Sequence, residues 1–275
     1  MDRLDRRRFI CVSLAAVAST PAHAREALSG RLTITGSSTV APLVLEMAKA
    51  FEKKHPKVRI DVQTGGSSRG IADARSALAH IGMTSRALYD TENDLVGHVI
   101  ARDGICLIVH EANPVSTLTD RQVVDIFTGR ITDWKDVGGR PGRISVVNKA
   151  EGRSTLDLFQ AHFKLKNSDI KASVVIGDNA QGVKTVVASE GAIGYVSIGT
   201  AEFEAEQGTP IKLLPMSGIV PSDATVKNGT FPLTRPLTLV TKTQPVGLAK
   251  AFIGYAQSKD VIALVREQFF VPLHD

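Results

Sequence analysis

The chain has 275 residues, 43% hydrophobic, 5% aromatic and 22% charged, with a formal net charge of +5 at pH 7. That length and apolar content are ample for packed cores and exclude a disordered or fibrous polymer. The mild basicity suits an anionic ligand but is no nucleic-acid footprint.

The first segment reads as an export leader. Arg6, Arg7 and Arg8 form a basic stretch, Phe9 to Ala18 is a short apolar run, and Ala22-His23-Ala24 offers the small residues a signal peptidase reads. Residues 1–24 are therefore expected to be removed by cleavage after Ala24. The order Arg6-Arg7-x-Phe9-Ile10 resembles a twin-arginine signal; an ordinary secretory leader with a basic start is the alternative. No later segment is apolar enough to span a bilayer, so a soluble protein of a bacterial periplasm is expected. Cys11 leaves with the leader, and Cys106, alone in the run Ile105 to Val109, reads as a small buried apolar residue with no disulfide partner.

Strand and helix patterns then alternate. Leu32-Thr33-Ile34 reads as a strand, and Val40, Leu43, Val44, Met47, Ala48 and Phe51 as one face of a helix that Pro56 ends. Val58, Ile60 and Val62 alternate with charged residues in a half-wet strand. A second helix carries Ile71, Ala74, Ala77 and Leu78, and Ile81 to Met83 is a short strand. Ile105 to Val109 is a buried strand, Asn113-Pro114 a turn, and Thr119 or Asp120 caps a helix reaching Phe127. Further elements are strand Arg143 to Val147, helix Ser154 to Phe163, strand Val174 to Ile176, helix Val183 to Ala188 and strand Ala192 to Val196. Thr200 to Thr234 has no clear period; Leu237 to Val240 is a strand, Pro245 to Gln257 a helix, and a last helix ends near Phe270. This alternation predicts an α/β fold. Crossings near residues 100–108 and 232–240 would divide it into lobe 1 (25–103 with 236–275) and lobe 2 (104–235).

One local pattern recurs. A strand ends, a Gly/Ser/Thr loop follows, and a helix begins at Gly36-Ser37-Ser38-Thr39, at Gly65-Gly66-Ser67-Ser68-Arg69-Gly70 and at Glu151-Gly152-Arg153-Ser154-Thr155. The first N–H groups of a helix have no internal partner, and the dipole favours an anion there. Glycine lets backbone approach a ligand, and hydroxyls add donors without bulk. Any one such loop is more often a plain helix cap; three in one chain, with Lys149, Arg153, Arg69 and Arg86 in or near them, point to an oxyanion.

These residues resemble the phosphate-binding proteins of ABC phosphate importers over nearly the whole mature chain. The likeness rests on Gly36 to Pro42, Gly66-Ser67-Ser68, Ile126-Phe127-Thr128-Gly129-Arg130-Ile131-Thr132-Asp133-Trp134, Val137-Gly138-Gly139 and Gly191-Ala192-Ile193-Gly194-Tyr195. It implies a two-lobed periplasmic-binding-protein fold with a hinge and an interlobe cleft. It implies ligand contacts from Ser38, Thr39 and Val40, from Ser67 and Ser68, from Ser85 and Arg86, and from Lys149, Arg153, Ser154 and Thr155. It also implies a monomer, without cofactor, that serves an ABC permease or a membrane sensor. The family usually shows Arg where Lys149 stands and Ser-Gly-Thr where Arg153-Ser154-Thr155 stand, and its best-known members carry a carboxylate where Arg86 stands. Since phosphate donates a proton and sulfate does not, these departures leave sulfate, an organic phosphate or a carboxylate as alternative ligands.

Gly66-Ser67-Ser68-Arg69-Gly70 also matches the G-x-S-x-G elbow of hydrolases, with Ser68 as nucleophile and His162 or His274 as base. The wet-faced strand before it and the missing His-Gly-Gly-Gly motif argue against that reading. The seven histidines show no metal-ligand spacing. Trp134 is expected to pack away from the anion loops.

Overall fold

The computed structural model describes residues 28–274; the leader and its twin-arginine motif lie outside the described residues. Strand β1 (Gly30–Gly36), helix α1 (Ala41–Lys54), β2 (Val58–Thr64), α2 (Ser67–Arg75) and β3 (Ile81–Thr84) follow one another in simple alternation. Then comes β4 (Val96–His110), α3 (Asp120–Phe127), β5 (Ser145–Lys149), α4 (Ser154–Phe163), β6 (Val174–Ile176), α5 (Asn179–Val187) and β7 (Ala192–Ser197). The chain closes with α6 (Ile198–Glu206), β8 (Ile211–Leu214), α7 (Asp223–Lys227), β9 (Thr234–Thr241), α8 (Gly247–Ala256), α9 (Ile262–Glu267) and β10 (Val271–Pro272).

The strands lie in the order β2-β1-β3-β9-β4-β7-β5-β6. β1 runs parallel to β2 and β3, and β5 runs parallel to β7 and β6. Between these parallel halves, β4 and β9 are antiparallel. β4 spans both halves: Val96 to Gly104 pairs with β9, and Ile105 to Val109 pairs with β7. At 15 residues it is about 50 Å long at the usual strand rise. The second crossing lies beside the first, since Ile105 N–H donates to the Leu233 carbonyl at 3.0 Å.

Each half has its own core. One is built from α1, β1, β3, β9 and α8, including Ile34, Leu43, Met47, Phe51, Leu239 and Phe252. The other is built around Ile105 to Val109, with Phe127, Phe159 and Tyr195 stacked in it; the Phe159 and Tyr195 rings are 4.0 Å apart and nearly parallel. The family motif residues meet here: Trp134 is 3% exposed and its Nε1 donates to the Gly191 carbonyl at 3.0 Å. Cys106 is buried, which raises its thiol well above the ordinary range.

Several boundaries differ from expectation. β4 starts at Val96, nine residues before the apolar run, because Gly97, His98 and Arg102 break the pattern although the backbone stays paired. The second helix stops at Arg75: Ala77 takes a left-handed φ of 58°, and Leu78 is 76% exposed. The segment from Thr200 to Thr234 contains most of α6 together with β8 and α7. α6 buries Ile198, Gly199 and Ala201 but leaves Phe203 exposed, so no apolar stripe marks it in the sequence. No helix among the described residues is long and apolar enough to cross a membrane.

Candidate anion-binding site

α1, α2 and α4 begin at the ends of β1, β2 and β5, and their N-termini converge between the two halves. None of the three has a side-chain cap: Val40, Gly66 and Arg153 stand at the cap positions without a capping hydrogen bond. Elsewhere Thr119, Asp178, Ser197 and Ser222 cap α3, α5, α6 and α7, while α8 and α9 also begin without a side-chain cap.

Thr39, Ser67, Ser85, Lys149, Ser154 and Thr155 are all at most 5% exposed. The structure joins three of them through Arg235, at the start of β9. Its Nη1 donates to Ser85 Oγ at 3.2 Å and Thr155 Oγ1 at 3.0 Å, and its Nη2 donates to Thr39 Oγ1 at 3.3 Å. The other face of the guanidinium grips Asp103 on β4, with Nε and Nη2 at 3.1 and 2.8 Å from Oδ2. Arg235 and Asp103 are 3% and 2% exposed. One cation rooted in the crossing strands thus touches hydroxyls from both halves.

Asn179, the first residue of α5, completes the bridge. It donates to Thr39 Oγ1 at 3.0 Å and accepts from Lys149 Nζ at 2.9 Å. Burial lowers Lys149 to about 7; nearby Asp178 opposes the shift, and Arg235 and Arg153 add to it. Ser67 Oγ accepts from the Ser85 N–H at 3.3 Å. Ser154 Oγ is buried without a hydrogen-bond partner among the described residues.

The remaining candidates are placed differently. Val40 is buried, but its N–H and that of Thr39 are held by Ser37 Oγ at 3.4 and 3.2 Å. Ser38 lines a cavity of about 340 Å³ between the halves, with Thr39, Asn179, Thr200, Phe203 and Phe270. Ser68 is exposed, and its backbone N–H donates across the gap to the Gly152 carbonyl at 3.2 Å. Arg153 reaches over the same gap: a side chain at Gly66 would lie 3.0 Å from its Cδ and 2.8 Å from the Gly152 carbonyl.

Arg86 is turned to a separate cluster. Its terminal nitrogens donate to Glu92 at 2.7 and 2.8 Å, and its guanidinium stacks on the Tyr89 ring at 3.6 Å. Its Nε faces Asp157 of α4 at 3.7 Å, and the Tyr89 hydroxyl hydrogen-bonds the same carboxylate. This group fastens the two halves at the cleft's edge. Burial raises Asp157, although Arg86 opposes the shift.

The hydrolase constellation is not assembled. His162 sits 3.8 Å from Asp120, and His274 bonds the Gln257 carbonyl; no histidine among the described residues hydrogen-bonds Ser68.

Sequence reading missed Arg235, Asp103 and Asn179. Asp103 lies within β4 and Arg235 at the start of β9, in Arg102-Asp103-Gly104 and Thr234-Arg235-Pro236, and opposite charges at two crossing points were the available signal.

Two half-sheets joined by crossing strands, with a cleft of helix N-termini, hydroxyls and buried cations, define a protein built to hold a small anion. The chain belongs to the PBP superfamily domain family, whose profile matches residues 21–260. It is 31% identical to the Bacillus subtilis phosphate-binding protein PstS, over 94% of this chain and 85% of that protein. The crystal structure of a putative phosphate ABC transporter substrate-binding protein with bound phosphate from Clostridium perfringens superposes with a TM-score of 0.83, at 31% identity, covering 89% of this chain and 100% of that one. An ABC-type phosphate transport receptor from Vibrio cholerae gives a TM-score of 0.72 at 29% identity, covering 88% and 100%. The family suggested by the glycine and serine motifs is the one found.

Proposed function

We propose that the chain captures inorganic phosphate between its two lobes and delivers it to an ABC permease, without chemical change to the ligand. The observation that carries this reading is the gathering of hydroxyls from the loops that open α1, α2 and α4 around Arg235, with Lys149 joined to them through Asn179. Such a site offers backbone donors, hydroxyls, a buried guanidinium and the Lys149 nitrogen from several directions, as a tetrahedral oxyanion requires. The relatives' names supply the particular anion.

Thr39, Ser67, Ser85, Ser154, Thr155, Lys149 and Arg235 are the ligand contacts in this proposal. Ser38, Val40, Ser68, Arg86 and Arg153 shape the rim and the lobe-to-lobe contacts. Opening is a hinge movement about the β4 and β9 crossings, and closure is stabilised by contacts the anion bridges. The protein acts as a monomer in the periplasm, exported by the twin-arginine signal and cleaved after Ala24. A lobe surface docks on the permease.

The test is calorimetric titration of the refolded, ligand-stripped chain with phosphate. Wild type should bind one phosphate. Thr39→Ala and Ser67→Ala should each lose about 1–3 kcal/mol, or roughly 5- to 150-fold in affinity, as expected for hydrogen bonds to a charged group. Undiminished affinity in both variants would move the site elsewhere.

A further inference from the structure

The cleft is rich in donors. Arg235 and Arg153 can only donate, and both Arg235 contacts to Asp103 converge on Oδ2. Hydroxyls can donate or accept, so they serve protonated and unprotonated oxyanions alike. A group that tells the two apart must accept a hydrogen bond that only a protonated oxygen can give.

Lys149 is placed for that. Its side chain is 2% exposed, and its partner among the described residues is Asn179 Oδ1; no described carboxylate lies within ion-pair distance of Nζ. The groups around it come from every adjoining element. Asp178 caps α5, Arg153 precedes α4, and Asp157 on α4 faces Arg86. Arg235 on β9 is tied to Asp103 on β4, and Tyr195 on β7 accepts the Lys149 backbone N–H at 3.4 Å. β6 adds only Val174, Val175 and Ile176. Two guanidiniums beside a buried ammonium disfavour its charge, and a lysine, unlike an arginine, can shed its proton and leave a lone pair.

We propose that Lys149 enters the cleft as a free amine and shares the anion's own proton, so that it distinguishes hydrogen phosphate from sulfate. This rests on the anion-capture reading above. The O–H of hydrogen phosphate points at Nζ, and one proton lies between oxygen and nitrogen. Phosphate brings that proton; sulfate must draw it from solution. The lowering of Lys149 to about 7 puts the change in an accessible range. Above that value the free protein holds the amine, and sulfate affinity falls about tenfold per pH unit.

The experiment titrates wild type with phosphate and with sulfate from about pH 6 to about pH 9, each in two buffers of different ionisation enthalpy. Between about pH 7 and about pH 9, phosphate affinity should change less than about fivefold. Sulfate should weaken about 50-fold over the same range, with uptake approaching one proton per anion. Lys149→Arg should abolish the sulfate pH dependence and cut phosphate-over-sulfate selectivity at least about tenfold at the higher pH. Parallel weakening of both anions, pH-independence of both, or sulfate inert even at about pH 6 overturns the role of Lys149 while leaving phosphate capture standing. Absence of binding by either anion overturns both readings. The wild-type series decides the matter even if the variant fails to fold.

Discussion

Arg235→Met removes the guanidinium but keeps an unbranched side chain, so the β9 backbone has no steric reason to move. Asp103, 2% exposed, then loses its 3.1 and 2.8 Å contacts and keeps only the Gly199 N–H at 3.4 Å. A buried carboxylate stripped of its partner costs about 3–5 kcal/mol. In a chain of this size about 1 kcal/mol moves Tm by roughly 2–4 °C, so a drop of about 6–20 °C is expected. Thermal melts followed by circular dichroism would measure it. Arg235→Met with Asp103→Asn should recover most of the loss, because replacing both partners leaves no lone charge. A drop under about 2 °C, or a double variant no better than the single, would refute the claim that each of these two charges is held in the core by the other.

Gly70→Ala tests the seating of the second anion loop. A methyl there would lie 2.7 Å from the Met83 and Thr35 carbonyls and 2.8 Å from Gly36 Cα, all backbone. Loss of about 1–3 kcal/mol in urea unfolding is expected, and an unchanged midpoint would mean α2 packs less closely than the structure shows. Asp157→Asn tests the edge contact between the lobes. Burial raises Asp157, so its charge is disfavoured in the folded state, and the neutral amide should leave stability nearly unchanged or slightly higher. The attraction for Arg86 is lost, and stopped-flow competition should show phosphate released roughly 3- to 10-fold faster, or about 1 kcal/mol. Equal release rates would mean that this cluster does not restrain opening.

Much of the architecture was written locally. The period of α1, the apolar run at Ile105 to Val109 and the glycine breaks at Gly36 and Gly65-Gly66 placed elements correctly, because each is decided by neighbours within one turn or one strand. The three loops were visible for the same reason: backbone donors at a helix start depend on a few consecutive residues. The missing elements, α6, β8 and α7, owe their form to burial against β4 rather than to their own pattern.

The sequence by itself determined the alternation of strands and helices, the loops that offer donors, and the lysine and arginine departures among them. Only the tertiary structure decided which cation stands at the centre. Arg235 lies 132 residues from Asp103 and 196 from Thr39, and no spacing rule connects them. Their meeting follows from two strands that leave one half-sheet and enter the other side by side. Arg86, by contrast, stands next to Ser85 in sequence yet faces Glu92, because the chain bends at these two residues just beyond the end of β3. Charge type can be read from sequence; the direction in which a buried charge faces is set by the packing that excludes water around it.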